Sequence, residues 1–393
     1  MKQALRGVVC ARFSSSVVFT VCVLSTLSLG QADAPQPATI GPNNIFVQSK
    51  FGGQIFGFDI DQNSDEGVLS EALNQSNGSV LAAVETFDQK TGKILKVIAE
   101  TQTQDDFVTL GIVGTSVGLV EHEHVVSFLN VQRSFVVINP IAGNKVTAKW
   151  TPPIGKTHLL SEVSRTQGST NNAVYAEDNS GSFIPWVFTS NVAANTFGPV
   201  ISIHDSTNFG SGVVPPMAYN PQTNQAILGG GTGAFGRSPV IALVDLTAGT
   251  VTEFTGAGFG FVNSIAVDPA DNIACTTTED DASVEFYDLA TQTVTAIVVL
   301  PNSGEQQFFS GADVEYDALH KLFFVAQPNS SSSSGSSIYL YDTKGNLRET
   351  LNGFSFSNTF NVIAAHIALH PSTRTGFIDG PSANVNEIQG FSY

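Results

Sequence analysis

The sequence predicts an all-β protein, a single β-propeller of four-stranded antiparallel blades, and three observations predict it. Apolar and polar residues alternate with period two through short runs, no helical periodicity follows the first thirty or so residues, and a four-run unit recurs along the chain. The clearest unit starts at Phe261, "FVNSIAVDPADNIACTTTEDDASVEFYDLATQTVTAIVVL". It reads as strands a to d, with an Asp-Pro turn between a and b, a polar loop between b and c, and an Asp-led turn between c and d. The c–d turn recurs at Asn139, Asp245, Asp288 and Asp342, and the last three are 43 and 54 residues apart. That spacing brackets the roughly 40–50 residues of a propeller blade. The a–b turn recurs at Asn220-Pro221, Asp317 and His370-Pro371.

A ring also accounts for the length. About 360 residues follow the leader, more than the ~250–300 at which a single core stops growing. Blades escape that limit because each buries its faces against its neighbours and closure removes exposed edges. About seven blades fit, with six or eight also compatible, because residues 55–105 repeat weakly. The start "NNIFVQSKFGGQIFGFDID" reads as strands b and c, the end "GFIDGPSANVNEIQGFSY" reads as part of a blade, and together they are expected to complete one sheet and close the ring.

Ahead of the ring, Lys2, Arg6 and Arg12 precede the apolar run "VVFTVCVLSTLSLG" and the small-residue stretch "QADAPQP". This is the pattern of a secretory signal peptide, expected to span residues 1–32 with cleavage between 30 and 34. Residues 33–42 then form a short linker and 43–393 the propeller. No later segment reaches the ~20 apolar residues of a membrane helix. The expected location is therefore periplasmic or secreted.

Loss of the leader leaves 14 basic against 34 acidic side chains, a net charge of −20. Such a surface repels phosphate backbones and anionic lipid, which excludes nucleic acid as a partner class. Cys10 and Cys22 leave with the leader and Cys275 has no mate, so packing and hydrogen bonds must hold the ring without a disulfide.

The turn patterns resemble those of NHL and YVTN-type propellers and, more loosely, of the gluconolactonase (senescence-marker-like) propellers. The resemblance is clearest from Asn220 onward. In the gluconolactonase-like family a divalent cation, often calcium, sits at the mouth of the channel, held by Glu, Asn and Asp of inner strands, where it polarises a lactone carbonyl. The text "FVNSIAVDP" is similar to that family's Asn-Gly-(Ile/Leu)-Ala stretch and makes Asn263 a ligand candidate. The aligned positions in other blades are Pro215, Gly311 and Ala365, with Asp313 and His366 a residue or two along. Glu66 in "DEGV" is similar to the family's Glu-Gly-Pro. The aligned positions in the other blades do not match the family's ligands, so the resemblance supplies one cation ligand of about four, Asn263, and Asn263, Asp313 and His366 together are the ligand-binding candidates at the channel rim.

Strand alternation places the short a–b and c–d turns on one face of the ring and the d–a and b–c loops on the other. The second set is long: "GGGTGAFGRSP", "QPNSSSSSGSS", "HDSTNFGSGVVPP", "TGAGFGF" and "NGFSFSNTFN" are members. Loops on a rigid scaffold carry function, so this is the expected binding face. Phe209, Phe259, Phe261, Phe308, Phe309, Phe354, Phe356 and Phe360 lie there, either as an apolar platform or as plugs between blades. The excess of 28 Phe over 7 Tyr and 2 Trp favours plugs.

Three short motifs carry chemistry at first sight. Gly231, Gly233 and Gly236 match G-x-G-x-x-G, but a strand rather than a helix follows, so no pyrophosphate site is expected. Ser116 matches G-x-S-x-G, yet alignment puts it on an a–b turn, not at a strand-to-helix elbow. "VEHEH" aligns with strand b, where His122 and His124 would share one face at chelate spacing; His158 or His204, expected in d–a loops, would supply a third zinc ligand. The alternative is a solvated strand with its imidazoles hydrogen-bonded between blades.

The expected function is a non-enzymatic scaffold that engages a small molecule, glycan or protein through its long-loop face. A metal-dependent lactonase-like hydrolase and a structural cell-envelope component are the alternatives. Calcium or zinc is the candidate cofactor, and nothing in the sequence requires either.

Overall fold

In the computed structural model the described residues are 40–393, apart from residues 63 and 355 and the segments 75–79, 104–116, 121–122, 128–134, 140–144, 151–157, 165–171, 180–184, 192–195, 204–215, 232–237, 279–282, 301–312, 328–335, 357–365 and 380–385. They form strands joined by turns, with no helix among them.

Strand β1 (Gly41–Gln48) comes first. It is followed by one sheet of β2 (Gln54–Ile60), β3 (Glu66–Asn74), β4 (Val80–Asp88) and β5 (Ile94–Thr103), and a second of β6 (Val117–Val120), β7 (Glu123–Ser127), β8 (Phe135–Asn139) and β9 (Lys145–Trp150). A five-stranded sheet holds β10 (His158–Ser164), β11 (Asn172–Asn179), β12 (Pro185–Asn191), β13 (Thr196–Phe197) and β14 (Ile201–Ser202). Next are β15 (Met217–Asn220), β16 (Gln225–Gly231), β17 (Pro239–Asp245) and β18 (Thr250–Thr255), then β19 (Val262–Asp268), β20 (Ile273–Thr278), β21 (Ser283–Asp288) and β22 (Thr293–Val299). The sheet of β23 (Val314–Asp317), β24 (Leu322–Gln327), β25 (Ser336–Tyr341) and β26 (Leu347–Phe354) precedes β27 (Ile367–His370), β28 (Thr375–Asp379) and β29 (Glu387–Ser392). Pairing is antiparallel throughout.

The first strands of successive sheets touch in a closed cycle, β2, β6, β10, β15, β19, β23, β27 and back to β2. That cycle makes the fold a β-propeller. The last sheet is completed by the N-terminal segment: the order is β1-β29-β28-β27, with Phe46 opposite Gln389 and Val47 opposite Ile388. Closure by the two ends is as expected, but the roles of the first two runs are not. Gly41–Gln48 is the outer strand of the closing sheet and Gln54–Ile60 the first strand of the next, not strands b and c of one blade. Alternation looks the same in every strand, so only the partner of β1, more than 300 residues away, decides its place.

One turn recurs on the short-turn face, and its chemistry is local. Asp245 Oδ1 accepts the amides of Thr247 and Ala248, both at 2.8 Å, and Asp288 Oδ1 those of Ala290 and Thr291 at 2.9 and 3.0 Å. Asn220, Asp268 and Asp317 do the same at the a–b turns. Four residues after each opener the backbone enters the left-handed region, at Asn224, Asn272, Gln292, Lys321 and, after His370, Arg374, with φ between 52° and 57°, and after Asp245 at Gly249, with φ 70°. The carboxyl or amide oxygen replaces a strand partner and the left-handed residue restores the antiparallel direction. Asp88 belongs to the set: it accepts Lys90 and Thr91 amides and is followed by Gly92 at φ 69°. The described residues of the weakly repeating region 55–105 therefore form a four-stranded sheet with the same turn as the others.

Between sheets the core is aliphatic and aromatic. Phe324, Ile338, Leu340, Phe354, Phe356, Ile378, Phe391 and Tyr393 fill the gap between the β23–β26 sheet and the closing sheet. Phe354 and Phe356 are thus plugs, whereas Phe259 is 46% exposed.

The register of "VEHEH" differs from expectation. Val120 pairs with Glu123, so the chain reverses between strands a and b within the motif; Glu123 begins strand b, and His124 follows it opposite Leu119 and Ile138. The aligned frame failed because it placed the a–b turn at residues 114–116, whereas Val117 to Val120 is strand a. His122, Ser116, His204 and Gly233 lie outside the described residues. His158 is not in a d–a loop; it opens β10, paired with Asn179.

Candidate functional site

Three sequence candidates sit where first strands of adjacent sheets begin, at the end towards the d–a loops. Asn263 is half-buried and occupies a bulge in β19, where the register with β20 shifts between Val262 and Ser264. A bulge re-aims the side chain it carries. Asp313 immediately precedes β23 and His366 immediately precedes β27; both are half-buried.

Asp313 binds these segments together. Its Oδ1 accepts the Ser264 hydroxyl at 2.5 Å and its own sheet's Val314 amide at 2.9 Å, while Oδ2 accepts the Ile367 amide at 2.7 Å. One carboxyl group thus spans three consecutive sheets. Burial pushes the Asp313 carboxyl up to about 7, against the lowering pull of its Ser264, Ile367 and Val314 hydrogen bonds. His366 sets its ring edge-on to Phe58 at a centroid distance of 6.4 Å. With both Asp313 oxygens engaged by N–H and O–H donors, the cluster is an inter-sheet strut and does not fit the cation site implied by the gluconolactonase resemblance. Among the described residues no group of three or more His, Cys, Asp or Glu converges as a metal site would require.

A second polar cluster lies on the short-turn face. Asp317 Oδ2 accepts the Tyr393 hydroxyl at 2.7 Å and lies 2.7 Å from His320 Nδ1. Arg374 Nε donates to His320 Nε2 at 3.1 Å. Because Arg374 has only donors, His320 is the Nδ1–H tautomer, donating to Asp317. The pairing has the look of an Asp–His catalytic dyad, yet both ring nitrogens are committed, and its chemistry is that of a clasp between the β23–β26 and closing sheets.

The third cluster was missed in the sequence. Glu71 on β3 and Glu85 on β4 are fully buried. The Ser49 hydroxyl and the Gly53 amide donate to Glu71 Oε2, the amide at 2.9 Å, and the Lys50 amide donates to Glu85 Oε2 at 3.0 Å. Glu285 plays the matching part in the β19–β22 sheet, accepting the Tyr287 hydroxyl and the Ala257 amide on Oε2. Both strand-c glutamates stand three residues before the c–d aspartate, in "VETFD" and "VEFYD". That repeated pair was the available signal. Each ties down the d–a loop leading into its own sheet, residues 49–53 or 256–261. Gly256 and Gly258 are required there, since an added Cβ would collide with the Glu285 carboxyl group.

The class is therefore that of the β-propellers. No family model matches the chain, and no curated protein matches it. It is similar in structure to a chain of the crystal structure of the mitotic checkpoint complex, with 12% identity, a TM-score of 0.57 and 99% of each chain covered. It is also similar to the structure of U3-55K, with 12% identity, a TM-score of 0.60, and 90% of this chain and 100% of that one covered. At such identity the likeness carries the fold alone. No helix among the described residues is long and apolar enough to cross a membrane.

Proposed function

We propose that this chain is an exported, non-enzymatic interaction scaffold: a seven-bladed propeller with NHL-like repeats whose d–a and b–c loop face engages a protein partner. The observation that carries this reading is the Asp313 strut. An acidic group at the loop-face end of the first strands, Asp313, is spent on fixing three sheets to one another, which makes that end of the first strands a rigid base. Phe259, exposed on the 256–261 loop beside that base, has the character of an interface anchor. Among the described residues the turns of the opposite face at Asn220, Asp245, Asp268, Asp288 and Asp317 are short, and their own Asp and Asn side chains take up the turn amides.

The test compares Phe259→Glu with Ala248→Glu, which alters an exposed residue of a short turn. Partner capture from the exported fraction is expected to fall at least tenfold for the first and to be unchanged for the second. The reverse pattern refutes the choice of face, and retention by both variants refutes a protein partner there. Export is tested separately: the full chain should appear outside the cytoplasm beginning near Asp33, and a chain lacking residues 1–32 should stay inside. A calcium-binding isotherm abolished by Asn263→Ala would replace the scaffold reading with the lactonase-like one.

A further inference from the structure

We propose that Glu71 and Glu85 share one proton and so form a pH-sensitive clasp on loop 49–53, at the seam where the ring closes. Glu71 stands opposite Ala83 and Glu85 opposite Leu69, which makes the two glutamates diagonal neighbours on one face of the β3–β4 pair. Each uses Oε2 for the loop, through Ser49 and Gly53 on one side and Lys50 on the other. Among the described residues each leaves Oε1 buried without a hydrogen-bond partner. Two adjacent carboxylates in that state would each carry an unsolvated oxygen and repel one another. A single proton on Glu71 Oε1, donated to Glu85, satisfies both oxygens and removes one buried charge. The direction of titration agrees: burial, with the Glu85 charge adding to it, pushes the Glu71 carboxyl up to about 7.

The loop held by this pair directly connects β1, the outer strand of the closing sheet, to β2, the first strand of the next. The same face of β3 and β4 presents Leu69 and Phe87, which pack with Ala368, Phe377 and Ile388 of the closing sheet. The charged groups around the pair are few. Lys50 lies on the loop, and its ammonium donates to the Ile94 carbonyl at 3.2 Å. Burial raises the Glu85 carboxyl, against the lowering pull of the Lys50 and Phe51 amides and of the Lys50 charge. Neighbouring β2 contributes Asp59, and β5 contributes exposed Lys96, opposite Thr86, and Glu100, opposite Ala83. Strand β6, which packs on β3, has no titratable residue, and the closing sheet contributes Asp379 and Glu387 at strand ends and His366 before β27.

The sign follows from linkage. Glu71 holds its proton more tightly with the clasp closed than in an opened, hydrated loop, so closure is favoured at low pH and weakens as pH rises towards 7. Opening of the loop is expected to increase by up to about tenfold per pH unit between pH 5 and 7 and to level off above. Hydrogen exchange at the Lys50 and Gly53 amides, corrected for intrinsic rates, reads this in the intact chain, with the Val325 amide of β24 as an unaffected reference. Glu71→Gln, whose amide can donate to Glu85 as the shared proton does, should hold the loop closed with no pH dependence. A pH-independent wild-type loop, or an unaltered slope in E71Q, overturns the proposal. So does tightening of the wild-type loop by millimolar calcium at pH 8, which would mean that a cation and not a proton bridges the pair. Should E71Q fail to fold, infrared spectroscopy of Asp313→Asn, which lacks the other carboxyl raised to about 7, decides: a buried protonated-carboxyl band should persist at pH 6 and fade through pH 8, and its absence at pH 6 refutes the shared proton.

Discussion

The hydroxyl of Tyr393 donates to Asp317 Oδ2 at 2.7 Å, fastening the residue that follows β29 to the turn that ends β23. The carboxyl group is fully buried and also receives His320 from its own turn. Ring closure at β1 and β29 is thus reinforced by a polar clasp one sheet away.

Tyr393→Phe removes one donor from that buried oxygen and leaves His320 in place. A loss of roughly 1–2 kcal/mol is expected in urea unfolding, with little change in slope. A double-mutant cycle with His320→Ala should show coupling of at least ~0.5 kcal/mol, since the two share an acceptor.

Asp313 predicts a pH dependence of stability. Its carboxyl is raised from the usual 3.8 to about 7 in the folded chain. Its stabilising contribution is therefore complete below about pH 4 and is lost as pH rises through 7. Discounted for the part of Asp313 that still meets solvent, the effect is about 2–3 kcal/mol. Denaturant midpoints of wild type and Asp313→Asn between pH 5 and 8 measure it. The variant should lose this component of the slope, at a cost of ~1–3 kcal/mol, because its amide faces the Ile367 N–H.

Gly92 and Gly249 hold equivalent turn positions, at φ 69° and 70°, in different surroundings. A Cβ on Gly249 meets nothing within 4 Å, whereas one on Gly92 collides with the Phe46 carbonyl oxygen of β1. Gly249→Ala should cost only the left-handed strain of roughly 1–2 kcal/mol. Gly92→Ala adds displacement of the closing strand, so its melting temperature should fall further and its β1 amides should exchange faster.

Asp288 tests the recurring turn. Alanine removes the acceptor of the Ala290 and Thr291 amides and is expected to cost about 1 kcal/mol, while asparagine keeps the acceptor and should cost less than ~0.5 kcal/mol. Equal losses for the two, measured by thermal unfolding, would show that charge and not hydrogen bonding matters there.

Much of the architecture was legible because its determinants are near neighbours in sequence. Asp288 and Gln292 make a turn from five consecutive residues, and the alternation in Val284 to Asp288 states which side chains face the next sheet. The candidate site was legible only in part. Asn263, Asp313 and His366 were read as separate ligand candidates, and the sequence held no sign that a serine one position on, Ser264, would engage Asp313 across sheets. "VEHEH" misled for a related reason: four polar residues fit a strand or a hairpin end equally well, and only the pairing of Val120 with Glu123 chooses.

By itself, then, the sequence determined the repeating strands, the turn chemistry and the closed ring, since alternation and Asx turns act within a few residues and a long chain of sheets must bury its edges. The tertiary structure alone decided that β1 joins β29, that Asp313 joins three sheets, and that Glu71 meets Glu85 beneath the loop from the closing strand. Those contacts depend on how sheets stack around the ring, which no local pattern encodes.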